Sequence, residues 1–316
     1  MRLGFILDPL NRLKPHKDSS IAMMRAAARR GDSVHAAMRD TLAWHDDQVF
    51  ATWVKLDLDD GPDWYREGEQ AYLPLNHFDA VLMRQDPPFD FEYLTATWLL
   101  ERAEIAGALI FNHPRALRDH SEKLALTEFA HFAPPTLVAR DAVRIGAWID
   151  EQADVVMKPL DGMGGSSVFR VRADDPNRNV IIETLTAMGR RTVMVQRYIP
   201  EISAGDKRIL ILGGQVVPYA LARIPKAGEL RGNLAAGGTG IVQALSDRDR
   251  EIATALAPIL WARGLLVVGL DVIGDYLTEI NVTSPTGFVE ITHQTGFDVA
   301  AMCIDALSTA VQARSG

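Results

Sequence analysis

Short apolar runs alternate with helix-length segments over the first 111 residues, and this alternation restricts the possible folds more than any other feature. Residues 2–7, 33–38, 80–83 and 109–111 read as buried strands. A helix capped by Asp18-Ser19-Ser20 runs to about Arg30 and ends at Gly31; a second, capped by Asp90, runs to about Ala106 and ends at Gly107. Strands separated by helices imply a mostly parallel sheet. Residues 1–120 are therefore expected to form a doubly wound α/β domain. Residues 44–76, broken by Gly61-Pro62, read as irregular, and Arg84-Gln85-Asp86-Pro87-Pro88 must be a loop.

The rest of the chain changes character to α+β. Helices are expected over 122–131, 141–152, 180–188, 247–263 and 298–312, and strands over 136–139, 155–159, 168–171 and 193–197. Gly213-Gly214 and Gly274-Asp275 each punctuate two apolar runs, so each predicts a hairpin.

Composition removes several classes. The 316 residues are 47% apolar and 23% charged, which excludes disorder. The single cysteine, Cys303, excludes an internal disulfide framework and a cysteine-based zinc site. No apolar run approaches the roughly 20 residues of a membrane span. The first run stops at Asp8 without a small-residue cleavage site, so it reads as a buried strand and not a signal peptide, while the single cysteine makes the reduced cytoplasm the expected compartment. A net charge of −8 argues against nucleic acid as the partner.

Familiar nucleotide and hydrolase signatures are missing: there is no G-x-x-x-x-G-K-[ST], H-E-x-x-H or G-x-S-x-G. Two other glycine loops are present. In the first, a buried strand delivers Lys158, and Gly162, Gly164, Gly165 and Ser166 then free the backbone to fold over an anion; a flexible strand connection is the equal alternative. The second, 231–240, has four glycines and reads as a lid carrying Arg231 and Asn233.

The sharpest constellation is acidic. Glu279 and Asn281 lie two apart on a strand and share a face. A three-residue hairpin turn puts Asp271 opposite Glu279, whereas a two-residue turn puts it opposite Thr278; the longer turn is expected. Three oxygen donors at one spot suit a hard cation such as Mg²⁺, which completes its shell with phosphate oxygens. Carboxylates in so apolar a run are costly to bury without a partner.

Together with 83–90, 158–167, 205–208, 221–225, 231–240, 268–275 and 278–286, these residues resemble the ATP-grasp ligases, and among them the bacterial glutathione synthetase family. The resemblance implies an N-terminal α/β domain (1–120) followed by two ATP-grasp lobes (121–200 and 201–316). It implies a ligase that joins γ-glutamylcysteine to glycine with cleavage of ATP. By this likeness Lys123, Lys158, Gly162, Gly164, Gly165, Ser166, Gln196, Arg197, Tyr198, Ile199 and Asp206 contact ATP. Asp271, Glu279 and Asn281 hold Mg²⁺ or Mn²⁺, as one or two ions. Asp18, Ser19, Ser20, Arg84, Arg223, Asn233, Ser284, Pro285, Thr286 and Gly287 face the peptide substrate or the transferred group. Arg208 and Arg231 stabilise the acyl phosphate and the tetrahedral adduct. Partners are small molecules, with no nucleic acid or membrane, and the chain is expected to form a homo-oligomer.

Gln85, Thr239 and Val289 stand where the family is expected to carry basic residues; they leave the ATP-site residues untouched and bear on the acceptor. Two readings compete: a ligase of the same superfamily with another acceptor amine, and an inactive nucleotide-binding regulator.

Overall fold

In chain order the first third contains β1 (Arg2–Leu7), α1 (Ser19–Arg29), β2 (Ser33–Met38), β3 (Ala43–His45), β4 (Gln48–Leu58), β5 (Tyr65–Pro74), β6 (Ala80–Met83), α2 (Phe91–Ile105) and β7 (Ile110–Phe111). The computed structural model describes every residue except Met163, Ala227, Leu230, Arg231, Asn233, Ala235, Ala236 and Gly316. The predicted caps form: the Asp18 carboxylate accepts from the Ser20 and Ile21 amides at 2.7 and 3.0 Å, and Asp90 accepts from the Tyr93 amide at 2.7 Å. β2, β1, β6 and β7 are parallel neighbours, as the alternation requires.

The irregular reading of 44–76 is corrected. β3, β4 and β5 extend the sheet antiparallel, giving the order β3-β4-β2-β1-β6-β7 with β5 on β4. In β4 a period of two buries Val49, Ala51 and Trp53. β5 is mostly exposed and polar, so its pairing with β4, not its own pattern, makes it a strand.

After α3 (Pro114–Asp119) come β8 (Thr136–Ala139), α4 (Ala142–Gln152), β9 (Asp154–Pro159), β10 (Phe169–Arg172), α5 (Arg178–Leu185) and β11 (Val193–Arg197). They build an antiparallel sheet in the order β10-β9-β11-β8. Its core, formed by Ile145, Ile149, Val155, Met157, Val171, Ile182, Leu185, Val193 and Val195, is separate from the rest.

The last sheet contains β12 (Asp206–Leu212), β13 (Gln215–Ile224), β14 (Thr239–Ala244), β15 (Val267–Ile273) and β16 (Tyr276–Asn281), with α6 (Asp247–Ala262) between β14 and β15; α7 (Phe288–Thr295) and α8 (Val299–Ser315) follow. Its order is β14-β13-β12-β15-β16. Both predicted hairpins are present. β14 and α7 were not legible in the sequence. Cys303 is buried on α8, with its Sγ 3.4 Å from Met23 Sδ on α1.

The helix expected over 122–131 is shorter and tighter, a 3-10 segment over Leu124–Phe129. Tertiary pairing overrides the local pattern here. The Ile280 amide donates to Glu122 O at 2.9 Å and the Leu277 amide to Phe132 O at 2.8 Å, so this stretch flanks β16.

The first and last sheets are joined by Asn112. Its buried Nδ2 donates to Val267 O at 2.8 Å and Val282 O at 2.6 Å, and its Oδ1 accepts from the Val267 amide at 2.9 Å. Asn112→Ala strands these backbone groups in a dry interface. At about 1–3 kcal/mol per unmet group, less any water that enters, the expected loss is about 3 kcal/mol, read as a lower unfolding midpoint in urea. Among the described residues no helix is long and apolar enough to cross a membrane.

Candidate active site

A cavity of about 630 Å³ lies between the four-stranded sheet and the last sheet, with the loops after β1 and β6 on its wall. The Gly274-Asp275 hairpin sets its acidic face. Its turn has two residues, with Ile273 paired to Tyr276, so the longer turn expected from the sequence is corrected. Asp271 nevertheless pairs with Glu279, because the register shifts at Thr278, which bulges out of the ladder. Thr278 Oγ1 donates to Asp271 O at 3.1 Å and secures the bulge. The register is the one expected; the device that produces it is different.

The Asp271 carboxylate is buried between two arginines. Arg208 donates through Nε at 2.5 Å to Oδ1 and through Nη2 at 3.0 Å to Oδ2, and Arg223 Nη2 lies 2.8 Å from Oδ2. Gly269 makes this approach possible: a Cβ there would stand 2.9 Å from Arg208 Cδ and 2.8 Å from Pro285 Cβ. Burial pushes the Asp271 carboxyl up, but Arg208 and Arg223 together outweigh it and hold it below the usual carboxylate range. Arg223 also pairs with Asp206. Burial dominates at Asp206; Arg223 counters it only in part and the Asp271 charge adds to it, so its carboxyl is pushed up to about 6. Asp206 Oδ1 has no hydrogen-bond partner among the described residues.

Glu279 faces a lysine. Lys123 Nζ donates to Glu279 Oε1 at 2.8 Å and to Gly162 O at 2.7 Å, tying the acidic face to the first glycine loop. Burial lowers Lys123, and the Glu279 charge and hydrogen bond, with the Glu122 and Asp271 charges, together outweigh it, so the ammonium is held above its ordinary value. Lys158 donates to Thr278 O at 3.2 Å; burial pulls its ammonium down, since no carboxylate pairs with it directly. Gly164 and Gly165 take left-handed φ values of 63° and 77°, and with Gly162 and Ser166 they line the cavity.

β11 and the residues after it form another wall. Gln196 Nε2 donates to Thr136 Oγ1 at 3.0 Å, Arg197 Nη2 donates to the Tyr276 hydroxyl at 2.8 Å, and the Arg170 guanidinium lies 3.6 Å from the Tyr198 ring centre. Gln196, Arg197, Tyr198 and Ile199 all line the cavity, as do Asp206, Arg208, Arg223, Asn281, Asp18, Ser284, Pro285 and Thr286.

Ser19, Ser20, Arg84 and Gly287 are not on the lining. They form the layer behind it: Arg84 Nε donates to Ser20 Oγ at 3.2 Å, Arg84 Nη2 donates to Pro285 O at 2.9 Å, and Ser19 Oγ accepts from the Phe288 amide at 3.3 Å. These contacts hold the 284–287 segment against the start of α1. Arg231 and Asn233 lie outside the described residues.

Several lining residues escaped the sequence reading: Arg12, Lys14, Lys17, Glu122 and Glu290. Glu122 accepts from the Val282 and Thr283 amides and from Thr283 Oγ1. Burial, reinforced by the Glu279 charge, pushes its carboxyl up. Three cations within 12–17, just before the Asp18 cap, were the available signal for that segment.

The donor set on the hairpin suits a divalent cation. Asp271, Glu279 and Asn281 offer hard oxygens. Among the described residues, Glu279 is hydrogen-bonded only through Oε1, and Asn281 uses its Nδ2 on Gly269 O at 3.3 Å. Among the described residues no cluster of three or more His, Cys, Asp or Glu side chains is placed to hold a metal. Two carboxylates and an amide suit a cation that takes the rest of its shell from phosphate and water.

Residues 1–118 match the family described as prokaryotic glutathione synthetase, N-terminal domain, and residues 122–296 match prokaryotic glutathione synthetase, ATP-grasp domain. The chain belongs to the prokaryotic glutathione synthetase family. Membership makes it an ATP-dependent ligase of glutathione synthesis, with ATP and a divalent metal in use. Glutathione synthetase of Ralstonia nicotianae is 60% identical over 317 residues, covering 100% of this chain and 98% of the relative. Glutathione synthetase of Nitrosomonas europaea is 58% identical over 311 residues, covering 97% of each. Among solved structures, D-cycloserine synthetase DcsG superposes with a TM-score of 0.69 at 16% identity, covering 98% of this chain and 100% of that one, which speaks for the fold.

Proposed function

We propose that the chain joins the cysteinyl carboxylate of γ-glutamylcysteine to the amine of glycine through an acyl phosphate, giving glutathione, ADP and phosphate. The observation that carries this reading is the charge layout of the cavity. Asp271 and Glu279 are paired by register, with Lys123 and Lys158 towards the glycine loop and Arg208 and Arg223 on the other side.

A carboxylate and an amine do not condense at neutral pH, because the carboxylate is a poor electrophile. Attack of a carboxylate oxygen on the γ-phosphorus expels ADP and leaves a mixed anhydride. The glycine nitrogen then attacks the acyl carbon, the nitrogen loses its proton, and phosphate departs. Both steps concentrate negative charge, so positioning and electrostatics carry the catalysis. In this reading Lys123 and Lys158 hold the phosphates, with amides of the Gly162–Ser166 stretch around them. Gln196 to Ile199 seat the adenine and Asp206 lies by the ribose. Arg208, already fixed along β15 by Asp271, steadies the acyl phosphate. A divalent cation on Asp271, Glu279 and Asn281, Mg²⁺ or Mn²⁺ as one or two ions, supplies charge that offsets that of the phosphates. Arg231 and Asn233 are proposed to act from the second glycine loop.

The same reading divides the chain near residues 120 and 200, where one sheet ends and the next begins. A net charge of −8 argues against nucleic acid as a partner, and the chain is proposed to act in the cytoplasm as a homo-oligomer without a membrane partner. Mass spectrometry of products from ATP, Mg²⁺, γ-glutamylcysteine and a panel of amines tests the proposal. Glutathione, formed with glycine in preference to other amines, is the expected product; ligation of another amine in its place would refute it.

A further inference from the structure

We infer that Glu122 is a positioning residue for the ligation: it fixes the elbow at Val282 and Thr283, and through that elbow it sets Lys123, Asn281 and the 284–286 segment at one spacing around the reacting carboxylate. The inference rests on the acyl-phosphate reaction proposed above. No contact between Glu122 and a substrate is part of it.

Lys123 has no regular element to hold it. It stands just before the 3-10 segment Leu124–Phe129, and its side chain caps nothing there. Its place is set by the residue before it, which is tied to β16 and its exit. Glu122 O accepts from the Ile280 amide at 2.9 Å. Glu122 Oε1 accepts from the Val282 amide at 3.1 Å, from the Thr283 amide at 3.2 Å and from Thr283 Oγ1 at 2.8 Å. Three donors exceed the two lone pairs of one carboxylate oxygen, so that oxygen is committed to this contact.

The elbow joins two parts of the site. Before it, on β16, come Asn281 and Glu279, the latter 2.8 Å from Lys123 Nζ. After it, Ser284, Pro285 and Thr286 line the cavity. Asn112 Nδ2 holds Val282 O at 2.6 Å, and Arg84 Nη2 holds Pro285 O at 2.9 Å. Glu122 takes the amide side of the same stretch. Lys123 gives up Glu279 when it turns to the phosphates, whereas the ties of Glu122 involve neither group. If the elbow shifts, the phosphate end of the site moves against the acyl end, and a misplacement of about 1 Å costs about 100-fold in rate.

Steady-state kinetics of the full chain with ATP, Mg²⁺, γ-glutamylcysteine and glycine tests this, with ADP and glutathione counted separately and ADP affinity measured by calorimetry. Glu122→Ala is expected to lower kcat about 100-fold and to leave the KM values and the Kd for ADP within about threefold. Glu122→Gln keeps a carbonyl acceptor for the same donors, so its kcat is expected within about fivefold of the parent. An amide would not rescue a base or a cation ligand. Thr283→Val removes one donor and is expected to lower kcat about tenfold. That loss should vanish in the Glu122→Ala background, because the two residues act through one contact. If Glu122→Ala does not fold, Thr283→Ser decides beside Thr283→Val: serine keeps the hydroxyl and is expected to keep the parental kcat, and equal losses in both would overturn the inference. A kcat for Glu122→Gln as low as that of Glu122→Ala, a rise in KM in place of the fall in kcat, or additive losses in the double variant would also overturn it. If the parent releases ADP with another amine and makes no glutathione, the proposed reaction fails, and the same variants measured with that amine decide on Glu122.

Discussion

Glu279→Gln is expected to lower turnover about a thousandfold while the protein stays folded. A cation on this face supplies several kcal/mol of charge stabilisation, and each 1.4 kcal/mol is about tenfold in rate. Glu279 is the more exposed member of the acidic pair, with 22% of its side chain open, so water can replace part of what it gives Lys123. Asp271→Asn is expected to lose as much activity and, unlike Glu279→Gln, substantial stability. Asp271 neutralises Arg208 and Arg223, all three being buried. Removing one partner of such a set costs about 3–5 kcal/mol, because the charges left behind are unpaired. Parallel measurement of kcat and of the urea midpoint separates the two effects. Near-parental turnover of Glu279→Gln in Mg²⁺ would remove the hairpin from the reaction.

Chelation of divalent cations is expected to abolish both ATP cleavage and ligation, and added Mg²⁺ or Mn²⁺ to restore them. The thermal midpoint of the protein without nucleotide should scarcely move. Arg208, Arg223 and Lys123 already balance Asp271 and Glu279, so the fold does not wait for a cation to complete this face. Turnover that survives excess EDTA would show that Asp271, Glu279 and Asn281 have another role. A large fall in melting temperature on chelation would show that the cation is structural.

The late hairpin was legible in the sequence because its information is local: a glycine turn, apolar strands and carboxylates in the middle of them. Even there the sequence fitted the wrong device to the right register, since a bulge at Thr278 shifts the pairing by the same one residue as a longer turn. β5 was illegible because its strand character is borrowed from β4, its own side chains being mostly polar and exposed. The partners of Asp271 were illegible for another reason. Arg208 and Arg223 come from two other strands of the same sheet, and no spacing rule connects residues 48 and 63 apart. Glu290 entered the sequence reading only as the glutamate that follows Val289, and nothing local placed it on the cavity wall, since α7 itself was not legible. Ser19, Ser20 and Arg84 were marked by resemblance, and their position behind the wall follows from the cap that Asp18 provides to α1.

The four-stranded sheet has consequences for nucleotide entry. Nine buried apolar residues, five from the sheet and four from α4 and α5, pack on one another, and only a few side chains, such as Met194, reach the larger core. A jaw filled in this way can swing outward and return with its own interior dry throughout. Admission of a bulky triphosphate then requires breaking polar ties such as that between Lys123 and Gly162, and little oily surface is wetted in the act.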